Sequence, residues 1–396
     1  MIAILIFNIF ILVCLFLITG LWFYIIYLWI RSIKNSPKLI EQKNQRLNII
    51  PKVSIILPAK NEQKNLEKCI ESLLNQDYPN YELILINDAS EDRTLDIMKQ
   101  FSYKDNKIKV INLNTKPEGW VGKNWACYNG YLQSDGEILL FTDADTYHAK
   151  DTLRLSILTF FRYKLDSLNV LPKTIGVTFL SKLILPLYTL HQHTFCSPIH
   201  INNLDTKKKN TYFLGTYYLI KRDIYKKIGT HKAVRDEFNE DIFIGKKLKD
   251  MEFKVHMVRG EYNLYTETIR SSNYIFNQIS RVVIPYYKKN KLTALRLTLF
   301  LFAIKFCPPF ILLYSIIIFP FSDGNTLPVI ISIILGLISL SIMVTVSTLQ
   351  MKYGLFQNPW YGFGAPIGAC IYSFAYLLAL TKAIRKSRVV WREKVV

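Results

Sequence analysis

Two carboxylates one residue apart follow one of the most apolar segments of this 396-residue chain. Asp143 and Asp145 come directly after the run EILLFT at positions 137–142. Two like charges leaving a strand together repel each other, and a hard divalent cation relieves that repulsion most simply. Mg²⁺ or Mn²⁺ held by one or two carboxylates takes its other ligands from water and phosphate oxygens. The pair therefore predicts a metal-bound diphosphate, although a surface loop also explains it.

Polar side chains also end two other apolar runs. Glu62 closes the segment P-A-K-N-E at 58–62, which begins with Pro58 after the run VSIIL, and Asp88 ends the run YELILIN. Ligands of parallel sheets bind at the carboxyl ends of the strands, so both are candidate binding residues. An acidic first helical turn explains Glu62 as well, and an Asx turn explains Asp88.

A glycine-containing loop supplies what a diphosphate site needs. The segment E-G-W-V-G-K-N-W-A at 118–126 has two glycines for close backbone approach, a lysine, Lys123, and the start of a helix. A loop that is simply anchored by its two tryptophans is the alternative interpretation. Neither G-x-G-x-x-G nor G-x-x-x-x-G-K-[ST] occurs, so a dinucleotide or P-loop site has no support.

The elements that position these residues alternate between strand and helix. Strands are predicted at Val53–Pro58, Tyr81–Asp88, Ile108–Leu113 and Glu137–Asp145, with helices at Asn61–Leu74, around Leu95–Phe101 and at Asn124–Gln133. Strands that are apolar on both faces and separated by helices indicate an α/β fold. We expect a mostly parallel sheet with helices on both faces.

The N-terminal segment is predicted to cross a membrane. Ile2–Ile30 contains no charged residue and is long enough to span a hydrocarbon core of roughly 30 Å. It lacks the basic start and the small-residue cleavage site of a signal peptide, so we interpret it as an anchor. Arg31, Lys34 and Lys38 place its C-terminal end in the cytoplasm.

Three further apolar stretches follow, at Leu297–Phe321, Leu327–Met351 and Pro359–Thr381. A cytoplasmic middle and a basic cytoplasmic tail require an even number of them to cross. Because the first contains Lys305 and is broken by Pro308-Pro309, we predict that it lies in the interface or re-enters, while the other two form a hairpin. Membranes also tolerate proline and a snorkelling lysine, so a crossing stays open.

These boundaries predict four regions: an anchor at 1–30, a basic linker at 31–52, a catalytic domain at 53–285 and a C-terminal membrane region with a basic tail at 286–396.

Composition agrees with a folded membrane protein. Fifty Lys+Arg against thirty Asp+Glu give a net charge of +20, yet half of the residues are hydrophobic, which disfavours disorder. Six scattered cysteines disfavour a disulfide scaffold or structural zinc, and His191, His193 and His200 fit no zinc spacing. The clusters 207–209 and 288–291 suit anionic lipids better than nucleic acid.

The order of the motifs resembles glycosyltransferase family 2, whose catalytic domain has the GT-A (Rossmann-like) fold. The resemblance covers roughly Val53–Arg281, and it includes an acceptor-side block at Phe213–Val255 that ends with the motif N-E-D and its helix. The loop G-W-V-G-K-N-W-A and the tail W-R-E-K look most like the carotenoid and hopanoid branch, which includes diaponeurosporenoate and chlorobactene glycosyltransferases.

The resemblance implies a role for each motif. Pro58, Glu62 and Asp88 would bind the nucleotide-sugar, with Asp88 at the base and Glu62 near the ribose. Asp143 and Asp145 would bind Mg²⁺ or Mn²⁺ on the diphosphate, Asp145 most directly.

Two more motifs complete the set that the resemblance implies. Asp241 would be the general base that deprotonates the acceptor. The family's Q-x-x-R-W box is present as Gln278 and Arg281, but Val282 replaces its tryptophan, which puts the acceptor-side contribution of the box in doubt. Arg281 and Lys123 would stabilise the leaving diphosphate.

The predicted activity is a single displacement that inverts the anomeric centre. We expect transfer of a hexose from a nucleotide-sugar, with UDP-glucose as the predicted donor, to a lipid-soluble acceptor such as a carotenoid or hopanoid. The enzyme would be a multi-pass protein of the cell membrane with a cytoplasmic catalytic domain. The alternatives are a polyprenyl-phosphate glycosyltransferase and a non-catalytic sugar-nucleotide-binding protein.

Overall fold

A computed structural model describes residues 2–39, 49–203, 212–268, 276–280, 283–284, 287, 290–321, 326–385, 390–391 and 394–395. The chain forms two compact units. The first, here called the globular unit, comprises residues 35–175 and 196–267. The second, here called the helical unit, comprises residues 1–34, 176–195 and 268–396.

Strands and helices alternate through most of the globular unit, and the elements of both units are numbered together here in chain order. The strands are β1 Val53–Ala59, β2 Tyr81–Asp88, β3 Ile108–Leu113, β4 Ile138–Thr142, β5 Thr146–His148, β6 Ser167–Leu171, β7 Lys173–Gly176, β8 Tyr217–Lys221, β9 Val255–Arg259 and β10 Leu264–Thr268, followed near the C-terminus by β11 Val390–Trp391 and β12 Lys394–Val395. The helices are α1 Ile2–Asn35, α2 Leu66–Leu74, α3 Thr94–Lys104, α4 Gly122–Leu132, α5 Thr152–Arg162, α6 Phe179–Thr189, α7 Pro198–Asn202, α8 Arg222–Lys227, α9 Glu240–Asp250, α10 Lys291–Ile318, α11 Thr326–Leu349 and α12 Ala365–Ile384.

A seven-stranded sheet forms the centre of the globular unit, in the order β3-β2-β1-β4-β8-β6-β9. The first four of these strands are parallel to one another. Strand β8 runs antiparallel to β4 and β6, and β6 and β9 are parallel. The carboxyl ends of β1, β2 and β4 therefore meet at one edge, as the sequence predicts. A smaller sheet pairs β5, β10 and β7.

Both faces of the large sheet are covered because its central strands contain runs of consecutive apolar residues, which point alternately to the two faces. In β1, Ile55 and Leu57 pack with α2, α3 and α5, whereas Ile56 faces α4, α8 and α9. All three side chains are fully buried, and each burial stabilises the fold by about 1.5–3 kcal/mol.

Among its described residues, the helical unit contains four helices that are long and apolar enough to cross a membrane: Ile6–Asn35, Lys291–Phe321, Thr326–Gly354 and Pro359–Ile384. The prediction that Pro308 and Pro309 break the second of these is wrong, since α10 runs through both without interruption. Membrane helices tolerate proline where neighbouring helices can offset the lost backbone hydrogen bonds. Leu312, one turn further on, packs against Gly336 of α11. Whether α10 crosses stays a prediction.

Helix α1 is bound to α10 and α11 by polar contacts along its length. The Thr19 hydroxyl lies 2.7 Å from that of Ser339. Trp22 Nε1 donates to the carbonyl of Ile304 at 3.2 Å. Trp29 Nε1 donates to Gln350 Oε1 at 2.6 Å. These groups would have no water partner in a bilayer, so their mutual pairing stabilises one arrangement of the helices.

Candidate active site

The end of β2 lies against the first turn of α4. A Cβ added to Gly122 would be 2.3 Å from Asp88 Oδ2, so only glycine allows the carboxylate this close to the helix backbone. The N-terminal turn of a helix carries unpaired amide groups and a partial positive charge, which favours a carboxylate there.

Lys123, the next residue of α4, joins two further elements. Its Nζ is 2.8 Å from Asp143 Oδ1, just after β4, and 2.9 Å from Glu240 Oε1, at the start of α9. Burial opposes the charged form, but the carboxylates of Asp143 and Glu240 raise the pKa of Lys123 well above its usual value. The side chain is therefore a permanent cation between two carboxylates.

Glu240 is a residue that the sequence did not single out as a partner of Lys123. Its side chain is only 3% exposed, which is rare for a glutamate without a cation beside it. In the sequence, Glu240 stands out only by its position next to Asp241 at a predicted helix start. An ordinary acidic first turn of a helix has the same appearance.

Asp241 is oriented by two backbone amides. Gly215 N donates to its Oδ2 and Ile242 N to its Oδ1, each at 2.8 Å. Burial and the charge of Glu240 raise the pKa of Asp241 to about 6, against the opposing effects of Lys123 and the two amides. The carboxylate is thus ionised at neutral pH, yet basic enough to accept a proton.

Asp145 and Glu62 lie near the same edge of the sheet. The buried thiol of Cys69 donates to the backbone oxygen of Asp143 at 3.7 Å. Burial, followed by the charges of Asp145 and Glu62, raises the pKa of Cys69 well above its usual value. Glu62 is itself buried, and its Oε2 accepts from Asn65 Nδ2 at 2.9 Å.

The carboxylates after β4 are the candidate ligands of a divalent cation. Among the described residues, no three His, Cys, Asp or Glu side chains form a metal-binding group. The candidates are therefore the two carboxylates of Asp143 and Asp145, and Asp143 is 30% exposed with one oxygen on Lys123. Two carboxylates suit Mg²⁺ or Mn²⁺, which keep positions for water and phosphate oxygens. The residues present fit such an ion.

The loop before α4 is fixed from two sides. Asn124 Nδ2 donates to the carbonyls of Val234 and Glu237 at 2.8 and 2.9 Å. The rings of Trp120 and Trp125 pack edge to face at 5.0 Å. The two interpretations of this loop are thus compatible, because the tryptophans anchor it and Lys123 enters the site.

For three of the predicted site residues, the structure gives little information about their predicted roles. Pro58 lies within β1 and pairs with Ile86 of β2. Gln278 is half-buried and belongs to the helical unit. Arg281 lies outside the described residues, as do the lysines at 207–209 and 288–289, so their functional assignments stay predictions.

The family model described as "Glycosyl transferase family 2" matches residues 54–229. The matched range includes Glu62, Asp88, Lys123, Asp143 and Asp145 and ends before Asp241. The match confirms the resemblance expressed by the order of the motifs.

Curated relatives carry related activities. A dolichyl N-acetyl-alpha-D-glucosaminyl phosphate 3-beta-D-2,3-diacetamido-2,3-dideoxy-beta-D-glucuronosyltransferase of Methanococcus voltae is 27% identical over 58% of this chain and 69% of its own length. A 4,4'-diaponeurosporenoate glycosyltransferase of Staphylococcus aureus is 26% identical over 58% of this chain and 61% of its own length. Two further curated relatives, a probable glycosyltransferase of Bacillus subtilis and a 4,4'-diaponeurosporenoate glycosyltransferase of Staphylococcus haemolyticus, are matched over only 26% and 24% of their length.

Among solved structures, the mannosyltransferase PcManGT from Pyrobaculum calidifontis, in complex with GDP-Man and Mn²⁺, resembles the chain with a TM-score of 0.55. The alignment covers 95% of this chain and 99% of that protein at 14% identity. At that identity the likeness concerns the fold, and it confirms the predicted GT-A architecture with flanking apolar helices.

Proposed function

Because the chain belongs to glycosyltransferase family 2, we propose that it is an inverting hexosyltransferase of the cell membrane. The donor is a nucleotide-sugar, with UDP-glucose as the specific candidate, and the acceptor is a lipid-soluble molecule such as a carotenoid or hopanoid. The catalytic domain faces the cytoplasm. Arg31 and Lys34 near the C-terminal end of α1 support that orientation, since basic residues favour the cytoplasmic side.

The observation that carries the proposal is the cluster formed by Asp241, Glu240, Lys123 and Asp143. In this cluster the carboxylate of Asp241, whose pKa is raised to about 6, lies near the cation of Lys123, and α/β folds bind ligands at such strand ends. In a single displacement, Asp241 accepts the proton of the acceptor hydroxyl while that oxygen bonds to the anomeric carbon. The bond from the anomeric carbon to the nucleoside diphosphate breaks, and the diphosphate leaves with the electron pair.

The donor side uses the other residues at this edge. Asp88 and Glu62 hold the nucleoside, and Lys123 offers positive charge to the departing diphosphate. Asp145 and Asp143 would hold Mg²⁺ or Mn²⁺, which when bound supplies further charge neutralisation for that leaving group.

The lipid acceptor is supported by two independent facts. The described part of the chain includes four helices that are long and apolar enough to cross a membrane. Two relatives have names that refer to lipid substrates, one a dolichyl-linked sugar and the other a carotenoid acid. The first of these relatives also favours a second candidate, a glycosyltransferase that acts on a polyprenyl-phosphate acceptor. The non-catalytic alternative loses its basis, because the family and the named relatives are enzymes.

The decisive experiment incubates membranes containing the full chain with radiolabelled nucleotide-sugars and a panel of lipids. We expect label in a carotenoid or hopanoid; label in a polyprenyl phosphate would select the second candidate. Label in none of the lipids with any donor would contradict the proposal.

We expect Asp145→Ala to abolish metal-dependent transfer, because the mutation removes one of two cation ligands. The assay compares both proteins with Mg²⁺, with Mn²⁺ and with excess chelator. The control is Asp135→Ala, which removes an exposed carboxylate paired with Lys52 and should leave the rate unchanged. Full activity of the wild type in chelator would refute the metal assignment.

We expect Gly122→Ala to weaken transfer roughly a hundredfold, because its methyl group needs the space of Asp88 Oδ2 and displaces the nucleoside-binding carboxylate. Calorimetric donor titration and steady-state kinetics measure the effect. Gly20→Ala is the matched control, because a Cβ at this position of α1 has nothing within 4 Å, and it should leave donor affinity and rate unchanged. Equal donor affinity in Gly122→Ala and wild type would rule out this role for Asp88.

A further inference from the structure

A lysine is buried among the apolar helices of the helical unit. Lys305 of α10 is only 7% exposed. Its Nζ lies 3.7 Å from the ring centroid of Tyr372 on α12 and donates to the carbonyl of Leu187 on α6 at 3.4 Å. A ring face and one carbonyl solvate an ammonium only in part.

No carboxylate of the described helical unit neutralises this charge. The unit has seventeen Lys and Arg residues against two acidic ones, Asp323 and Glu393, and both of these lie outside the described residues. A buried charge without a counter-ion costs several kcal/mol, so such a group normally belongs to a site that receives its counter-ion from elsewhere.

The groups around Lys305 suit an anion. The hydroxyl groups of Tyr372 and Tyr376 lie 3.3 Å apart, so either can donate a hydrogen bond. The neighbouring His191 is neutral, because burial and then the charge of Lys305 lower its pKa to about 4, although its bond to the Tyr188 carbonyl opposes this. His191 therefore adds no positive charge, and Lys305 is the group of this cluster that can pair with an anion.

The position of Lys305 along α10 indicates which kind of anion it can bind. Lys305 is eight residues beyond Leu297, or about 12 Å into the apolar stretch, where a lysine reaches towards the head-group layer. Exposed side chains on the same helix, including Phe300, Phe310 and Leu313, are apolar. A ligand that satisfies both features has an anionic head and a hydrocarbon body.

We propose that Lys305, with Tyr372 and Tyr376, binds the anionic head group of a membrane lipid through its phosphate or carboxylate oxygens. The site is built entirely within the helical unit. It rests on the proposed membrane placement of the chain and not on its transferase activity.

The test reconstitutes the purified full chain in nanodiscs of phosphatidylcholine with and without phosphatidylglycerol and counts retained lipids by native mass spectrometry. We expect wild type to retain phosphatidylglycerol selectively, and Lys305→Met to bind it roughly tenfold or more weakly, as loss of a charged hydrogen bond predicts. Lys305→Arg should retain binding within a few-fold. Lys352→Met is the matched control, because this exposed lysine of the helical unit also lies over a tyrosine ring, that of Tyr353.

Each outcome decides the proposal. Equal retention by Lys305→Met and wild type would overturn it, and the lysine would then be held only by Tyr372 and Leu187. Thermal stabilisation of delipidated protein by inorganic phosphate alone, to the extent seen with phosphatidylglycerol, would also overturn it, because the site would then bind free phosphate. Melting curves control for folding, since an uncharged isostere of a buried lysine is expected to keep the fold. Lipid retention is also measured in Asp241→Asn. Retention equal to that of wild type would show that lipid binding does not depend on the proposed transfer reaction.

Discussion

Asp241→Asn is expected to lower kcat/KM for sugar transfer about 10³-fold while leaving nucleotide-sugar affinity close to that of wild type. The amide keeps the size of the side chain but cannot accept a proton, and general base catalysis is worth about 10²–10⁴-fold. Kinetics and calorimetric donor titration measure the two effects separately. The wild-type rate should also depend on pH, because the pKa of Asp241 is raised to about 6 and only its ionised form is a base. The rate therefore falls as pH decreases through about 6 and is constant above it.

Asp250→Asn provides the matched control, because Asp250 is an exposed carboxylate at the other end of the same helix, α9. It should leave both the rate and its pH profile unchanged. If Asp241→Asn lost donor binding together with transfer, the carboxylate would belong to the donor site, and its role as base would be wrong.

Lys123→Met is expected to lower both transfer and stability. It removes the cation between Asp143 and Glu240, and it leaves Glu240 buried without a counter-ion. Breaking a buried ion pair costs about 3–5 kcal/mol, and the 31% exposure of Lys123 reduces this to about 2–4 kcal/mol. We expect the free energy of unfolding to fall by that amount in urea titrations, with transfer lost because no fixed cation faces the diphosphate.

A second variant separates the two effects. Lys123→Met combined with Glu240→Gln should recover most of the stability, because the orphaned charge is gone, but not the transfer activity. Lys109→Met is the matched control, since Lys109 pairs at 2.7 Å with the buried Glu82 near the amino end of β2. It should destabilise the fold and leave kcat unchanged. Recovery of transfer in the double variant would show that Lys123 acts only through stability.

The sequence was sufficient to predict that the candidate site residues Asp88 and Asp143 lie at the carboxyl edge of the sheet. Asp88 and Asp143 follow long apolar runs, and a buried parallel strand that ends in a polar residue can present it only at the carboxyl edge of the sheet. The same runs predicted a sheet covered on both faces, because a strand that is apolar at successive positions needs helices on each side. Local patterns determine these features, and local patterns are visible in one sequence.

Other features depend on partners distant in the chain. The contact of Lys123 with Glu240 joins residues more than a hundred positions apart. The pairing could not be predicted, because a lysine and a glutamate in one sequence have many possible partners. The continuity of α10 through Pro308 and Pro309 depends equally on neighbouring helices. Judged by local propensity alone, two consecutive prolines predict a break, and tertiary packing overrides that preference.

The buried thiols beside the acidic cluster also have a practical consequence. Burial keeps Cys69 protonated, and Cys127, one turn after Lys123 on α4, has a pKa raised in the same way. Because alkylating reagents attack the thiolate, neither sulfur should react while the strand ends and α4 stay closed. The rate at which iodoacetamide modifies these two cysteines therefore reports the local opening of the strand ends and of α4, and the measurement needs no substrate.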